Sequence, residues 1–241
     1  MPSLVSAYGE LRSGLVKQKQ GTCGLYSFWY ATLLLAIVNP TTRAIPYPRS
    51  STDTANSGGE SMRHYAKHQH SSGQGEVLTC AEMEDIISHF GFTHHSHINK
   101  DGRGAFITSS LAQSRPVLFP YMMGNGGPIW SIPPNSTGGT DYGSHWSLIF
   151  HETEGNYFYI EPNNPTKLTR RDKQTVLKSN SFVDSYKYDR YWLKGNNSRV
   201  TPVQNVIVST LFGLGVGFGY KYYDIGQKDR QNLANVLVAV S

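Results

Sequence analysis

An apolar block at residues 25–38 constrains this chain most, because so long an apolar run has to be buried. The block is shorter than the roughly 20 residues that a helix needs to cross a bilayer. Asn39-Pro40 follows it at once, and the residue before a proline is disfavoured in a helix. We therefore expect a buried helix that ends near Val38.

Cys23 comes immediately before this block, so its thiol is predicted at the helix N-terminus. The unpaired backbone N–H groups and the helix dipole at that end favour a negatively charged thiolate. The same N–H groups, together with a side-chain amide just upstream, could hold an oxyanion. Gln18 and Gln20 are both candidates for that amide.

The composition favours many turns and strands over a helical bundle, since the 241 residues include 24 glycines and 15 tyrosines. The formal charge is only +5, and the basic residues are scattered apart from those at 167–178, so no nucleic-acid function is expected. Two cysteines allow no disulfide framework, and the N-terminus carries no signal segment. We expect a cytoplasmic location without membrane contact.

The pattern of apolar residues and turn residues predicts further elements along the chain. Helices are predicted at 60–68, 81–90 (with a Thr79–Glu82 capping box) and 106–112, and strands at 117–119, 145–150, 157–160, 185–193, 203–210 and 236–240. Two long loops are predicted at 41–75 and 121–142, and a buried strand or turn at 212–218.

His145 opens one of these strands, where an imidazole can project into a cleft. A hairpin turn near Glu154 would place His145 opposite Asn163, with Glu161 as a diagonal neighbour on the same face, provided that no bulge intervenes. Cysteine chemistry needs a thiolate, a histidine and a polar group that orients the histidine. Glu161 and Asn163 both remain candidates for that group.

Five short blocks, taken in order, resemble papain-like cysteine peptidases. They are Cys23-Gly24, Phe90-Gly91-Phe92, Arg115-Pro116-Val117, His145-Trp146 and Glu161-Pro162. Within that fold the chain looks most like the double-glycine leader peptidases, and the segment at 23–31 is also similar to the actin maturation protease.

The resemblance implies a papain-like α+β fold, with a nucleophile helix packed on an antiparallel sheet. It implies Cys23 as the nucleophile, His145 as the base, and the residue before Pro162 as the orienting group. The family usually has Asp at that position, whereas this chain has Glu161, so Asn163 stays open. Gln18 fits the family spacing of the oxyanion glutamine, and Gln20 fits the local turn.

The expected function is hydrolysis of a peptide bond in a protein or peptide substrate, without a cofactor. A glutamine deamidase or transamidase of the effector type, delivered into another cell, is the first alternative. A catalytically inactive binding module on the same scaffold is the second. The expected organisation is one domain over 1–241, with a core at about 16–165 and a strand-rich extension at 166–241. The histidines at 94–97 match no standard ligand spacing, and those at 64–70 lie in the polar excursion at 41–75, where a solvated loop is expected, so no metal is expected.

Overall fold

A computed structural model of the protein describes residues 2–18, 22–46, 48, 61–70, 77, 79–124, 127–128, 130, 143–181, 183, 191–193, 222–224 and 233–241. These residues form a mixed structure of helices and antiparallel sheet, which confirms the predicted α+β class. Among them, no helix combines the length and the apolar character that crossing a bilayer requires.

The helices of the described part are short, apart from the one that begins at Cys23. They are α1 (Leu4–Leu11), α2 (Cys23–Val38), α3 (Met62–Gln69), α4 (Cys80–His89), α5 (Arg103–Ala112) and α6 (Lys173–Ser181), with a 3-10 turn at Arg12–Gly14. The predicted capping box is present in α4: the Thr79 hydroxyl accepts from the Glu82 N–H, and the Glu82 carboxylate accepts from the Thr79 N–H. Gly91 follows α4 with a φ of +82°, as expected for a glycine that ends a helix.

Most of the strands form one antiparallel sheet. The strands are β1 (His94–His97), β2 (Val117–Gly124), β3 (Gly127–Pro128), β4 (Gly143–Glu152), β5 (Asn156–Ile160), β6 (Thr169–Asp172), β7 (Tyr191–Leu193), β8 (Tyr222–Asp224) and β9 (Leu237–Val240). The main sheet runs in the order β1-β9-β2-β4-β5-β6, with β3 paired to β2, while β7 and β8 pair with each other. β9 therefore lies between two strands that precede it by more than a hundred residues.

Helices cover both faces of the main sheet, and alternate residues of β4 point to opposite faces. Trp146, Leu148 and Phe150 pack into a core with α1, α2 and α4. Ile149 packs into a second core on the other face, with residues of β2, β5, α5 and α6. α2 is almost entirely buried, as the apolar block at 25–38 predicted.

The element predictions succeed where the pattern is local. The helices predicted at 25–38, 60–68, 81–90 and 106–112 and the strands predicted at 117–119, 145–150, 157–160 and 236–240 are confirmed within a few residues. The loop predicted at 121–142 is wrong at its start, since β2 continues through Pro120 to Gly124. Of the strand predicted at 185–193, the described part at Tyr191–Leu193 is a strand. The strand predicted at 203–210 and the segment at 212–218 lie outside the described residues.

Candidate active site

Cys23 is the first residue of α2, and its sulfur lies against the backbone of β4. The backbone N–H of Trp146 donates to Cys23 Sγ over 3.4 Å. One helical turn later, Ser27 Oγ donates to the Trp146 carbonyl over 3.1 Å. The ladder between β4 and β5 ends at the pair Leu148 and Ile160. The start of α2 thus bonds to both the N–H and the carbonyl of Trp146, a residue of β4 that lies beyond the end of the ladder with β5.

Close packing behind Cys23 depends on the absence of a side chain at Gly24. A Cβ atom at Gly24 would lie 2.9 Å from two side-chain atoms of Val77, closer than real Cβ contacts allow. The Val77 carbonyl in turn accepts the indole N–H of Trp146 over 3.0 Å. Gly24, Val77 and Trp146 therefore set how closely α2 approaches the strand that carries His145.

His145 is a buried residue of β4 that connects the thiol to a carboxylate. Its Nε2 lies 2.6 Å from Glu161 Oε1, and since a carboxylate only accepts, Nε2 carries the proton. The ring also bonds to the Cys23 side chain, which leaves Nδ1 as the nitrogen for that contact. Burial opposes a charge on His145, but the charge interactions and hydrogen bonds with the Cys23 side chain and with Glu161 outweigh it and raise the His145 pKa to about 10.

Glu161 accepts three hydrogen bonds. Oε1 accepts from His145 and from the backbone N–H of Asn163 at 3.1 Å, and Oε2 accepts from the Tyr121 hydroxyl. Burial favours the neutral acid, yet the His145 contact and the other two donors outweigh it and lower the Glu161 pKa. The orienting carboxylate is therefore kept charged.

Asn163, the other candidate for the orienting group, does not bond to His145 through its side chain. That side chain is exposed, and the residue contributes its backbone N–H to Glu161 instead. The predicted pairing of His145 with Asn163 does not form, because the ladder stops at Ile160 and Asn164 N–H closes a turn on the Glu161 carbonyl over 2.8 Å. The bulge in β4 between Ile149 and His151 lies nearer the turn. Beyond it Leu148 pairs with Ile160, a register that would reach His145 and Asn163 if the ladder continued.

Tyr121 is a member of the site that the sequence interpretation missed. It pairs directly with His145 across β2 and β4, and the two rings meet edge to face with centroids 5.3 Å apart. Trp130 stacks on the Tyr121 ring at 5.0 Å, and the Arg171 guanidinium lies 4.9 Å from the Trp130 centroid. The sequence does contain a signal for this position. If the strand at 117–119 is continued through Pro120, Tyr121 lies on the same face of the strand as Phe119.

The region for an oxyanion lies at the start of α2. The Thr22 side chain makes no capping bond to the helix, so the first N–H groups of α2 are not occupied by it. Gln18 is half-buried, and its backbone N–H donates to the Pro162 carbonyl over 2.9 Å, which holds the segment that ends at Gln18 beside the segment after Glu161. Gln20 lies outside the described residues.

The second cysteine has a different environment. Burial, and then the charge of Glu84, raise the pKa of the Cys80 thiol to about 12, so it remains protonated. Within the described ranges, no cluster of three or more His, Cys, Asp or Glu side chains could hold a metal ion. His97 of the predicted histidine cluster bonds to the Asp101 carbonyl at 2.8 Å.

No protein-family model matches this chain, and a comparison with curated proteins finds no significant match. The chemical class of the site therefore rests on the hydrogen-bonded row of a thiol, an imidazole and a carboxylate.

Proposed function

We propose that this protein is a papain-like cysteine hydrolase that cleaves peptide bonds in a protein or peptide substrate. The observation that carries the proposal is the position of the His145 ring, which bonds to Cys23 on one side and to Glu161 on the other. Nucleophilic catalysis by cysteine requires a nucleophile, a base and a group that orients the base. In this protein they would be a thiol at a helix start, an imidazole on an adjacent strand and a carboxylate after the next strand.

The reaction would begin with a thiolate and imidazolium pair. The Cys23 sulfur attacks the carbonyl carbon, and a C–S bond forms while the oxygen becomes an oxyanion. The Cys23 N–H and the Gln18 amide are the proposed oxyanion donors. The His145 imidazolium gives its proton to the leaving nitrogen as the C–N bond breaks, which produces a thioester and an amine.

Hydrolysis then restores the enzyme. Water attacks the thioester carbonyl while neutral His145 takes its proton, and collapse of the second tetrahedral species expels the Cys23 thiolate and the acid product. Glu161 holds the proton on Nε2 throughout, so that Nδ1 faces the reacting atoms. The balanced outcome is consumption of one water for each bond cleaved.

Acyl transfer can be tested without knowing the natural substrate. With p-nitrophenyl acetate we expect a burst of nitrophenol and an acetyl group on the Cys23 peptide. The burst should be lost in Cys23→Ala, strongly reduced in His145→Ala and unchanged in Cys80→Ser. If Cys23 in the folded protein is acetylated no faster than in His145→Ala, the hydrolase proposal is wrong and a binding module is the better interpretation.

The peptidase can be separated from the deamidase and transamidase alternatives once a substrate protein is found. A peptidase produces two fragments, whereas a deamidase leaves an intact chain in which one glutamine has become glutamate. A transamidase replaces the side-chain amide nitrogen of that glutamine with an amine and releases ammonia. Intact-mass measurement before and after incubation, with Cys23→Ala as the control, distinguishes all three.

A further inference from the structure

We propose that Tyr121 is a positioning residue of this site, which fixes the Glu161 carboxylate through its hydroxyl and thereby sets the pH range in which Cys23 is reactive. The inference rests on the proposed function, because it concerns the same site. The evidence for it is separate from the evidence for the function, since it is the hydrogen bond to the second carboxylate oxygen of Glu161.

The two oxygens of Glu161 are bound from neighbouring positions of one strand pair. Tyr121 in β2 and His145 in β4 are direct partners, and both side chains converge on the same carboxylate. His145 bonds to Oε1 and the Tyr121 hydroxyl donates to Oε2. A single rotation of the Glu161 carboxylate would therefore break both contacts together.

A second hydrogen bond to the orienting carboxylate matters more for Glu than for Asp. Glu has an additional methylene, so its carboxylate has more rotational freedom to lose when it is fixed. Burial also works against its charge, and the Tyr121 hydrogen bond is one of the contacts that lower the Glu161 pKa. A neutral Glu161 would no longer stabilise the imidazolium of His145.

Tyr121 is suited to be a constant donor. Burial, followed by the charge of Glu161, raises its pKa well above 10, so the hydroxyl keeps its proton. The ring is held by packing against Trp130 and Phe119, independently of the hydroxyl. Tyr121→Phe should therefore remove the donor while leaving the ring in place.

Tyr159 provides a matched control for this substitution. It is as deeply buried as Tyr121, lies in the same core and meets the Tyr121 ring at 6.5 Å. Its hydroxyl bonds to Arg171, and the charge of Glu161 acts on it without a hydrogen bond. Tyr159→Phe thus removes an equivalent hydroxyl without touching the proposed contact.

The experiment measures the rate of Cys23 alkylation by iodoacetamide against pH, in a Cys80→Ser background that leaves one reactive thiol. At mildly acidic pH we expect Tyr121→Phe to react about tenfold more slowly, which is the effect of one hydrogen bond to a charged group. The acidic limb of its profile should also move to higher pH, because the Glu161 pKa rises. Tyr159→Phe should follow the parent protein.

Each outcome decides between a positioning role and simple packing. If Tyr121→Phe and Tyr159→Phe both coincide with the parent protein while His145→Ala reacts more slowly, Tyr121 contributes packing alone and the inference is wrong. If the parent protein itself behaves like His145→Ala, the proposed function fails instead. Should Tyr121→Phe lose its native circular dichroism, a fluorinated tyrosine at position 121 keeps the shape and donates more strongly. That analogue should move the acidic limb to lower pH, and an unmoved limb would contradict the inference.

Discussion

Glu161→Gln is the substitution that most directly separates the charge of the carboxylate from its geometry. A glutamine has nearly the same shape, and its amide oxygen can accept from His145 Nε2 and from the Asn163 N–H as Glu161 Oε1 does. Its NH₂ group would face the Tyr121 hydroxyl, whose oxygen can accept. The hydrogen bonds can therefore persist while the negative charge is lost.

The size of the effect follows from the contacts of His145. A hydrogen bond to a charged group contributes about 1.5–3 kcal/mol and a neutral one about 1 kcal/mol, so the variant should lose roughly 0.5–2 kcal/mol, or about 2- to 30-fold in rate. The interaction with Cys23 contributes more than the one with Glu161 to the raised pKa of His145, which is why the loss should be partial.

The acetylation burst of Cys23 should be measured at mildly acidic pH, where an ordinary thiol is almost fully protonated. Asn163→Ala is the matched control, because its contact with Glu161 is made by the backbone N–H and survives the change. We expect Glu161→Gln to be slower by the stated factor and Asn163→Ala to equal the parent protein. A slow Asn163→Ala beside an unaffected Glu161→Gln would refute the assignment of Glu161.

Acid stability offers a second measurement on the same variant. The folded pKa of Glu161 lies below its ordinary value of 4.5, so the folded protein binds this proton less readily than the unfolded chain. The stabilising contribution is thus present above about pH 4.5 and is lost as the pH falls through the lower folded pKa. Urea midpoints of the parent protein and Glu161→Gln should differ near neutral pH and converge in acid; a constant gap would contradict this.

Two further predictions concern the packing of α2. Gly24→Ala should lower the free energy of unfolding by about 1–3 kcal/mol, because its Cβ would overlap Val77, whereas Gly9→Ala meets no atom within 4 Å and should be neutral or stabilising in thermal melts. Equal effects of the two would argue against close packing at Gly24. Ser27→Ala leaves the buried Trp146 carbonyl without its donor and should cost about 1–2 kcal/mol in urea unfolding and slow Cys23 alkylation; unchanged alkylation would show that this bond does not place the thiol.

The parts of the site that could be predicted from the sequence are those fixed by local rules. The apolar block and Asn39-Pro40 define the ends of α2, and the position of Cys23 at its start follows from them. The hairpin of β4 and β5 follows from its turn residues, which brings His145 near Glu161. Choosing between Glu161 and Asn163 needed the point at which the ladder ends, and that point leaves no recognisable residue pattern.

Features that depend on distant parts of the chain could not be predicted. Pro120 has no N–H group and is rare inside strands, so the interpretation ended β2 too early and placed Tyr121 in a loop. In the structure the Pro120 carbonyl is satisfied by the Asn180 side chain, from a helix sixty residues later. β1 at His94–His97, an edge strand, has no apolar alternation, and its pairing with β9 joins residues that are even further apart in sequence.

The position of β9 inside the main sheet has a consequence for incomplete chains. Its four residues are all buried, and they pair with β1 on one side and with β2 on the other. A truncated product that lacked them would leave the facing edges of β1 and β2 unpaired, and unpaired strand edges are templates for aggregation. The gap between β1 and β2 could also bind the missing strand when it is added as a separate molecule. A short synthetic peptide spanning 233–241 could therefore complete the sheet of a chain that lacks these residues.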